Sequence, residues 1–461
     1  MAILAAYAVP HPPILLPEVG RGEERKISRT AQAYDEVMRR VARHRPDVLF
    51  LASPHADSYA DYFHLSPGRV AHGSLEQFHA PDSRLDVTYD EALVQEIENR
   101  ARAQGLPAGT RGRREGPLDH GTLIPLLFLA KTGFACPVVR IGLSGLSARS
   151  HYRLGQCLSG AADALGRRAV FIASGDLSHK LKADGPYGFA PEGPALDREL
   201  TERFRSADFG GLLAIDERLS DAAAECGLRS FQIMAGALDQ KAVAPEVLSY
   251  EGPFGVGYCV AAFEVTGADA TRNFDERYVQ DRRAQREAHR AAEDDFVRLA
   301  RLSLETYVRS GRRAAVPEGL SPELTEARGG AFVSLHMDGR LRGCIGTISP
   351  TRANLAQEIM QNAVSAAVSD PRFDPVQVEE LGELTYSVDV LAPAERIDGP
   401  EMLDPKRYGV IVESGNRRGL LLPDLEGVDT VAQQMEIARR KAGIGAQEEV
   451  TLSRFEVVRH H

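Results

Sequence analysis

Cysteine is scarce in this sequence, and its spacing argues against the usual cysteine-based frameworks. The 461 residues contain five cysteines, an odd number with no CxxC pair. We therefore expect neither a disulfide framework nor a structural zinc site built from cysteines, and a reducing cytoplasm is the natural compartment. The five positions are widely separated: Cys136, Cys157, Cys226, Cys259 and Cys344.

Positive charge is also in deficit. The chain has 55 lysines and arginines against 65 acidic residues, a formal net charge of −10. A general nucleic-acid binder needs a basic face to displace phosphate counterions, so no nucleic-acid partner is expected. No apolar run reaches the length that spans a bilayer, so no membrane partner is expected. The apolar first residues lack a preceding basic region and predict a first strand rather than a signal peptide.

The length of the chain predicts two domains, because 461 residues exceed what one ordinary core holds. We place the first domain at residues 1–267 and the second at residues 292–461. Residues 268–291 between them are interpreted as a charged linker or an exposed first helix. This interpretation rests on the mostly charged run 275–294, which has no apolar face of any width.

The first domain alternates strands and helices. An apolar run at 3–9, an amphipathic helix at 27–44 and a second apolar run at 47–53 form a βαβ unit, whose strands are parallel by default. Further strands are predicted at 137–142 and 168–174. The fold class is therefore an α/β N-terminal domain, with a central mixed, largely parallel sheet flanked by helices, plus a separate α+β C-terminal domain.

Four local predictions complete the outline. Residues 56–85 are rich in His, Ser, Asp and aromatics, and indicate an irregular loop over the site. Residues 221–238 predict one helix, and residues 449–458 predict one closing strand. Asp338-Gly339, between strands at 330–337 and 341–347, predicts a hairpin turn.

Three histidines follow predicted strands, each after a proline or small residue that breaks the strand. His11 and His55 come directly after prolines, and His179 ends the run Phe171-Ile-Ala-Ser-Gly-Asp-Leu-Ser-His179. Open α/β sheets place their chemistry beyond the carboxyl ends of the strands, so we expect one shared site. His11, His55 and one carboxylate could form the facial triad that holds non-haem Fe(II).

The residue type of the third ligand is open. Glu225 is the first candidate because it precedes a predicted helix with an apolar face, and Glu251, beside a Gly-Pro turn, is the second. Cys226 would give a softer site that favours zinc or copper. Neighbours on a helix point about 100° apart, so Glu225 and Cys226 are alternatives if both are helical.

Further candidates carry protons or bind substrate. His179 is a candidate acid–base group, since an imidazole can take a proton from a bound phenol and return it later. Asp176 either orients His179 or caps the following turn. His120 begins a predicted helix, where the dipole favours its neutral form. It either binds substrate or oxygen, or caps the helix beside Asp119.

The four histidine motifs together resemble the LigB-like catalytic subunits of class III extradiol ring-cleavage dioxygenases, over about residues 1–266. The related Memo proteins share the same fold. The resemblance implies Fe(II) held by two histidines and a glutamate, with a catecholic substrate and O₂. In it, His11 and His55 match the metal histidines, His179 the acid–base histidine, and His120 a histidine beside the ligand set. The motifs are Val9-Pro-His-Pro-Pro13, Ser53-Pro-His55, Asp119-His-Gly121 and Ser174-Gly-Asp-Leu-Ser-His179.

The region of the third ligand resembles both relatives. The segment Ala224-Glu-Cys-Gly-Leu-Arg229 matches the dioxygenase pattern if Glu225 ligates and the Memo pattern if Cys226 ligates. Fe(II) is the metal that the dioxygenase resemblance implies, and Zn or Cu is the alternative.

The C-terminal part resembles the AMMECR family over about residues 292–459. The two-domain arrangement is similar to proteins of the AmmeMemoRadiSam system, which implies Memo-like and radical S-adenosylmethionine proteins as partners. Cys344 is either a thiol activated by Arg340 and Arg342, with His336 as a base, or a small buried residue. The motifs are Arg340-Leu-Arg-Gly-Cys-Ile-Gly-Thr347, the run 362–373, and Arg418-Gly-Leu-Leu-Leu-Pro423.

Three functional hypotheses result. The first is a metal-dependent extradiol dioxygenase-like oxidoreductase, whose partners are a small aromatic substrate and O₂. The second is a catalytically silent metal- or ligand-binding accessory of a radical-enzyme modification pathway. The third is a metal-dependent hydrolase with an activated water as nucleophile. An oligomer is compatible with each of them.

Overall fold

The computed structural model describes residues 2–113, 116–337, 340–425 and 427–461. The chain divides into two compact units, the first ending at Asp281 and the second beginning at Arg282. Across the described ranges, no helix combines the length and the apolar character needed to cross a bilayer. The predicted hairpin turn Asp338-Gly339 lies outside the described residues.

The first unit contains a central sheet and two small outlying sheets. Its strands are β1 (Ile3–Val9), β2 (Val48–Ser53), β3 (Phe63–His64), β4 (Val70–Leu75), β5 (Ala80–Thr88), β6 (Ala108–Gly109), β7 (Val138–Gly142), β8 (Ala169–Ser174), β9 (Lys241–Glu251) and β10 (Tyr258–Ala268). Its helices are α1 (Pro17–Gly20), α2 (Ser28–His44), α3 (Glu91–Ala103), α4 (His120–Ala130), α5 (Ala148–Ala164), α6 (Glu192–Ser206), α7 (Phe209–Leu213), α8 (Glu217–Ala223) and α9 (Leu228–Ala237). Helix α10 (Phe274–Ala292) follows and contains the division between the units.

The central sheet has the strand order β7-β2-β8-β1-β10-β9. The first four of these strands are parallel, and β10 and β9 are antiparallel to their neighbours. Every residue of β2 and β8 is buried, as expected for strands covered on both faces. Along β8, Phe171 packs into the hydrophobic cluster on one face and Ile172 into the cluster on the other. The predicted mixed, largely parallel sheet is therefore confirmed.

Two predictions for this unit are wrong. Residues 56–85 are not an irregular loop, because they contain β3, β4 and most of β5, and β4 pairs antiparallel with β5. Exposed and buried residues alternate along β4, which explains its polar composition. The helix predicted at 221–238 is two helices, α8 and α9. Ala224 ends α8 because it adopts a left-handed conformation with φ 53°.

The second unit has two antiparallel four-stranded sheets, β12-β11-β13-β18 and β14-β17-β15-β16. Its α+β class is as predicted. The single strand predicted at 449–458 is wrong, because Glu456 interrupts it and β17 and β18 join different sheets. The strands are β11 (Gly330–Met337), β12 (Arg340–Gly346), β13 (Leu384–Leu391), β14 (Glu395–Ile397), β15 (Gly409–Ser414), β16 (Arg417–Leu421), β17 (Thr451–Phe455) and β18 (Val457–His460). The helices are α11 (Asp295–Ser310), α12 (Pro322–Thr325), α13 (Leu355–Val368) and α14 (Val431–Ala442).

Candidate metal centre

The carboxyl ends of β1 and β2 bring two histidines together. His11 and His55 each follow a proline, which has no N–H for the ladder and ends the strand. The two strands lie on either side of β8 in the sheet. Nε2 of His11 lies 2.9 Å from Nε2 of His55, and the two rings are nearly perpendicular at 89°. Both nitrogens thus converge on one point at the edge of the sheet.

Ser174, the last residue of β8, orients the imidazole of His11. Its hydroxyl donates to the carbonyl oxygen of Gly121 at 2.7 Å and lies 3.0 Å from Nδ1 of His11. A hydroxyl has one proton to donate, so the Nδ1–H of His11 must donate to Ser174. Burial lowers the pKa of His11 to about 3, so the ring is neutral. Its unprotonated Nε2 therefore faces His55 with a lone pair available to a metal.

A break between α8 and α9 supplies a thiol. Cys226 lies in the loop that follows Ala224, and its Sγ is 3.8 Å from Nε2 of His11. The same sulfur accepts the backbone N–H of Asp176 at 3.3 Å. Among the described residues, the ligand atoms of His11, His55 and Cys226 form a group in which all lie within 4.8 Å of one another. Two imidazoles and a thiol are a donor set suited to a transition metal.

Two glycines allow the loop of Cys226 to reach the end of β8. A Cβ on Gly175 would lie 2.1 Å from Cα of Gly227. A Cβ on Gly227 would lie 2.5 Å from the ring of Phe231 and 3.0 Å from the carbonyl oxygen of Asp176. The close packing of this loop against the strand end therefore depends on the absence of both side chains.

Glu225, the first carboxylate candidate from the sequence, is not placed with the two histidines. Its carboxylate accepts hydrogen bonds from the hydroxyl of Ser220 at 2.8 Å and from the backbone N–H of Leu228 at 2.6 Å. It thus links α8 to the first turn of α9. Because Ala224 ends α8, Glu225 and Cys226 both project from a loop rather than from a helix, and the structure brings Cys226 to the histidines.

Glu251, the second carboxylate candidate, is the last residue of β9, and its side chain contacts the start of α2. Its carboxylate accepts hydrogen bonds from the backbone N–H and from the hydroxyl of Thr30, both at 2.7 Å. Arg29 donates to its other oxygen at 3.1 Å. This carboxylate therefore stabilises the first turn of a helix.

His120 is the first residue of α4, and its ring adjoins the histidine pair. The ring centroids are 4.1 Å from His55 and 5.4 Å from His11. Asp119 caps the helix, because its carboxylate accepts the backbone N–H of Thr122 at 2.9 Å. The imidazole of His120 is thus left for the site. Burial lowers the pKa of His120 to about 4, so this ring is neutral as well.

Asp176 and His179 lie on the segment that follows β8. Oδ1 of Asp176 accepts the backbone N–H of His11 at 2.9 Å, which ties the ends of β8 and β1 together. Burial raises the pKa of Asp176 to about 6. The backbone N–H of His179 donates to the carbonyl oxygen of Ala223 at 3.2 Å, and burial lowers the pKa of its imidazole.

Sequence reasoning missed Ser174, Arg140 and Tyr187, whose ring lies 5.1 Å from that of His179. Arg140 is buried in β7, and its guanidinium donates to the carboxylate of Asp119 at 2.7 Å. A single arginine in the run Val138-Val-Arg-Ile-Gly142 was a usable signal, since a buried charge needs a partner. Tyr187 lies on a polar loop, where the sequence offers no such signal.

In the second unit, Cys344 lies on β12 opposite Ser334 of β11. Its Sγ accepts a hydrogen bond from the Ser334 hydroxyl at 3.2 Å, and burial raises the pKa of the thiol. Arg342 forms an ion pair with Glu380 at 2.7 Å. His336 belongs to a different pair of the hairpin. Cys344 is half-buried, and these contacts favour a structural role for it over a reactive thiolate.

Comparison with known proteins matches the two parts of the chain to two family models. The model described as the catalytic LigB subunit of aromatic ring-opening dioxygenase matches residues 5–261. The AMMECR1 model matches residues 297–460.

Individual relatives match the whole of this chain or only part of it. A Clostridium acetobutylicum protein is 39% identical over 468 residues, which cover 100% of this chain and 99% of that protein. A Thermotoga maritima protein is 51% identical over 170 residues, which cover 36% of this chain and 98% of that protein. The crystal structure of an uncharacterized protein from Pyrococcus horikoshii shares 34% identity over 36% of this chain and 88% of that chain, with a TM-score of 0.34.

Proposed function

Because the chain belongs to the LigB family over residues 5–261 and continues into an AMMECR1 domain at residues 297–460, we propose that its N-terminal domain is a metal-dependent oxidoreductase acting on catecholic or related phenolic substrates. One observation carries this proposal. Nε2 of His11, Nε2 of His55 and Sγ of Cys226 converge within 4.8 Å at the carboxyl edge of the central sheet.

The spacing of these donor atoms suits a single transition-metal ion. Two nitrogens bound to one tetrahedral ion lie about 3.4 Å apart, and a nitrogen and a thiolate sulfur lie about 3.6 Å apart. The His11–His55 and His11–Cys226 distances here are 2.9 Å and 3.8 Å, and no two of the three donor atoms are more than 4.8 Å apart. Imidazoles with a thiolate favour zinc or copper, whereas Fe(II) is the metal expected with a carboxylate. For the oxidoreductase role we therefore assign copper to this site, with Fe(II) as the alternative. Zinc has no redox chemistry and fits a role without oxygen uptake.

The bound metal would supply a Lewis-acidic centre for substrate hydroxyls and, if redox-active, an electron path to O₂. The remaining roles fall to side chains around it. His179 accepts the proton of the phenolic hydroxyl, since burial lowers its pKa and keeps the imidazole neutral. His120, with its ring 4.1 Å from that of His55, offers a second neutral imidazole to the substrate or O₂. Asp176 positions the backbone of His11.

The first test compares metal binding by two neighbouring variants. Cys226→Ala removes a ligand and is expected to lower metal affinity at least about tenfold. Glu225→Gln keeps one oxygen for the N–H of Leu228, its amide can donate to the Ser220 hydroxyl, and it is expected to bind metal normally. Metal content by mass spectrometry after anaerobic loading, and a chelator competition, measure both. Loss of metal in Glu225→Gln with retention in Cys226→Ala would reverse the ligand assignment.

The second test addresses the reaction. Protein loaded with copper or Fe(II) is expected to consume oxygen in the presence of a catechol, and His179→Ala is expected to lose this uptake while it retains the metal. Oxygen uptake equal to wild type in His179→Ala would rule out the proton-transfer role of His179. Equal oxygen uptake by metal-free protein would rule out a role for the metal in the reaction.

A binding role without turnover is the second candidate function. It is favoured by the placement of Cys226 at the histidines. The segment resembles both the dioxygenase and the Memo pattern, and a ligating cysteine belongs to the Memo pattern. In that role the domain would be an accessory of a radical-enzyme modification pathway, with Memo-like and radical S-adenosylmethionine proteins as partners. Full metal occupancy without oxygen uptake over a broad panel of phenols would favour it over the first proposal.

A further inference from the structure

The imidazole of His179 has a buried nitrogen that no protein group satisfies. Within the described ranges, Nε2 of His179 is inaccessible to solvent and has no hydrogen-bond partner. An unpaired buried nitrogen is costly in a folded protein and calls for a functional explanation. The backbone at this position is well anchored, because the N–H of His179 donates to Ala223 and the preceding Ser178 N–H donates to the buried carboxylate of Asp197 at 2.7 Å. The backbone of His179 is thus held firmly, and its ring has one nitrogen unsatisfied.

Tyr187 lies against this imidazole. The two ring centroids are 5.1 Å apart, and the planes are inclined by 32°. The tyrosine is nevertheless 59% exposed, so one face of its ring covers His179 and much of the rest meets solvent. The exposed part of the ring is thus accessible to a ligand that enters beside His179.

The loop that carries Tyr187 has a fixed base and a glycine-flanked tip. The base is closed by a hydrogen bond from the N–H of Ala190 to the carbonyl of Lys180 at 3.1 Å, and by a bridge between Leu181 and Phe189. Gly188, directly after Tyr187, has φ 75°, a conformation that other residues adopt only with strain. The ring of Tyr187 therefore stands on a local turn whose base does not have to move when the side chain changes rotamer.

A second aromatic ring contacts the other histidine beside the donor set. The ring of Phe78 lies 5.3 Å from that of His120, at 72°. His179 and His120 are thus each in contact with one aromatic side chain from outside the central sheet. Such an arrangement suits a flat aromatic ligand better than an aliphatic one, because aromatic rings pack favourably face to edge or offset.

We propose that Tyr187 determines specificity for aromatic substrates: its ring moves off His179 and packs against the ring of the incoming phenol, whose hydroxyl then meets Nε2. This inference rests on the proposed function and extends it to a residue that recognises the substrate. The O–H bond of the phenol breaks and an N–H bond forms at Nε2. A phenolate and an imidazolium result, without a change in oxidation state. Tyr187 contributes the aromatic contact, and His179 takes the proton.

The experiment uses the full-length, metal-loaded protein under anaerobic conditions and two bidentate oxygen ligands. One is 4-nitrocatechol, whose colour reports its ionisation, and the other is acetohydroxamate, which has no ring. Tyr187→Ala is expected to weaken 4-nitrocatechol binding about three- to tenfold, the value of an aromatic pair, and to leave acetohydroxamate binding unchanged. Tyr187→Phe keeps the ring and is expected to bind both ligands as the wild type does.

Phe189→Ala is the matched control. Phe189 is 56% exposed on the same loop, so its removal changes the exposed aromatic surface without removing the cover of His179. It is expected to bind both ligands normally. A second readout follows carbethoxylation of His179 by diethyl pyrocarbonate with peptide mass spectrometry. His179 should react faster in Tyr187→Ala than in Phe189→Ala.

The outcomes separate this inference from the proposed function. Unchanged 4-nitrocatechol binding in Tyr187→Ala, an equal loss for both ligands, or an unchanged rate of His179 modification would each overturn the role of Tyr187. A wild-type protein that binds acetohydroxamate and fails to bind 4-nitrocatechol would overturn the phenolic substrate itself, and that result is visible without any variant.

Discussion

Replacement of Ser174 by alanine tests whether one hydroxyl sets the protonation pattern of His11 in the candidate metal centre. Ser174 is fully buried and lies between Nδ1 of His11 and the carbonyl of Gly121. In Ser174→Ala the Nδ1–H of His11 loses its acceptor. The ring can then carry its proton on Nε2 instead, and in that tautomer Nε2 cannot bind a metal.

The expected magnitude follows from the two bonds that are lost. A missing hydrogen bond behind a metal-ligating histidine lowers affinity about 10- to 100-fold, which corresponds to about 1.4 to 2.7 kcal/mol. The two buried groups left without a partner cost about 1–3 kcal/mol each. We therefore expect the free energy of unfolding of the metal-free protein to fall by about 2–6 kcal/mol, in addition to the loss of affinity.

A competition titration against a chromophoric chelator at neutral pH measures the affinity, and a denaturant titration measures the stability. Ser230→Ala is the matched control, since Ser230 on α9 is equally buried and its hydroxyl has no hydrogen-bond partner within the described residues. It should retain wild-type affinity. A Ser174→Ala variant whose affinity stays within about threefold of wild type, or a control that loses as much, would refute the tautomer argument.

Two further predictions concern packing and pH. Gly175→Ala should lower metal affinity at least about tenfold, because its Cβ would lie 2.1 Å from Cα of Gly227. Gly267→Ala on β10 is the control, since a Cβ there has nothing within 4 Å, and it should bind metal normally. Equal affinities of the two variants in chelator titrations would contradict this prediction. Burial raises the pKa of Asp197 to about 7 from 3.8. The folded protein keeps this proton between those values while the unfolded chain has lost it, so stability falls as pH rises through this window, by up to about 1.4 kcal/mol per pH unit. Asp197→Asn should flatten that slope in denaturant titrations, and a slope equal to wild type would argue against the buried titration.

The part of the site built on the sheet could be predicted from the sequence for a physical reason. A parallel strand covered on both faces needs a continuous apolar run, and residues 48–53 and 169–174 are such runs. A proline or a glycine then ends each strand at a definite residue. The convergence of His11 and His55 follows, because the carboxyl ends of parallel strands meet at one edge.

The strands of segment 56–85 were harder to predict from the sequence because they expose one face. In β4 the residues alternate between exposed and buried positions, and β3 has only two residues. Short, one-sided strands with histidine, serine and glycine resemble loops in composition. Tyr187 and Phe78 were missed for a related reason, since a single aromatic residue in a polar segment carries no periodic signal.

The break between α8 and α9 could not be predicted from its residue types. Residues 221–238 have a continuous helical pattern, and the break lies at Ala224, whose φ is 53°. Alanine is the best helix former and pays about 1–2 kcal/mol in the left-handed region. Only the tertiary contacts of the following loop can offset that cost, and these contacts link residues far apart in the sequence.

Those contacts also decide which residue faces the histidines. The N–H of Asp176 donates to Sγ of Cys226, and the N–H of Cys226 donates to the carbonyl of Asp176 at 3.4 Å. Both bonds use backbone groups of Asp176, and together they hold the backbone and the sulfur of Cys226 at the end of β8. To reach the histidines, Glu225 would have to give up its bonds to Ser220 and Leu228, at about 1–3 kcal/mol for each buried group left unpaired. The loop itself therefore places the thiol of Cys226, rather than the carboxylate of Glu225, at the two histidines.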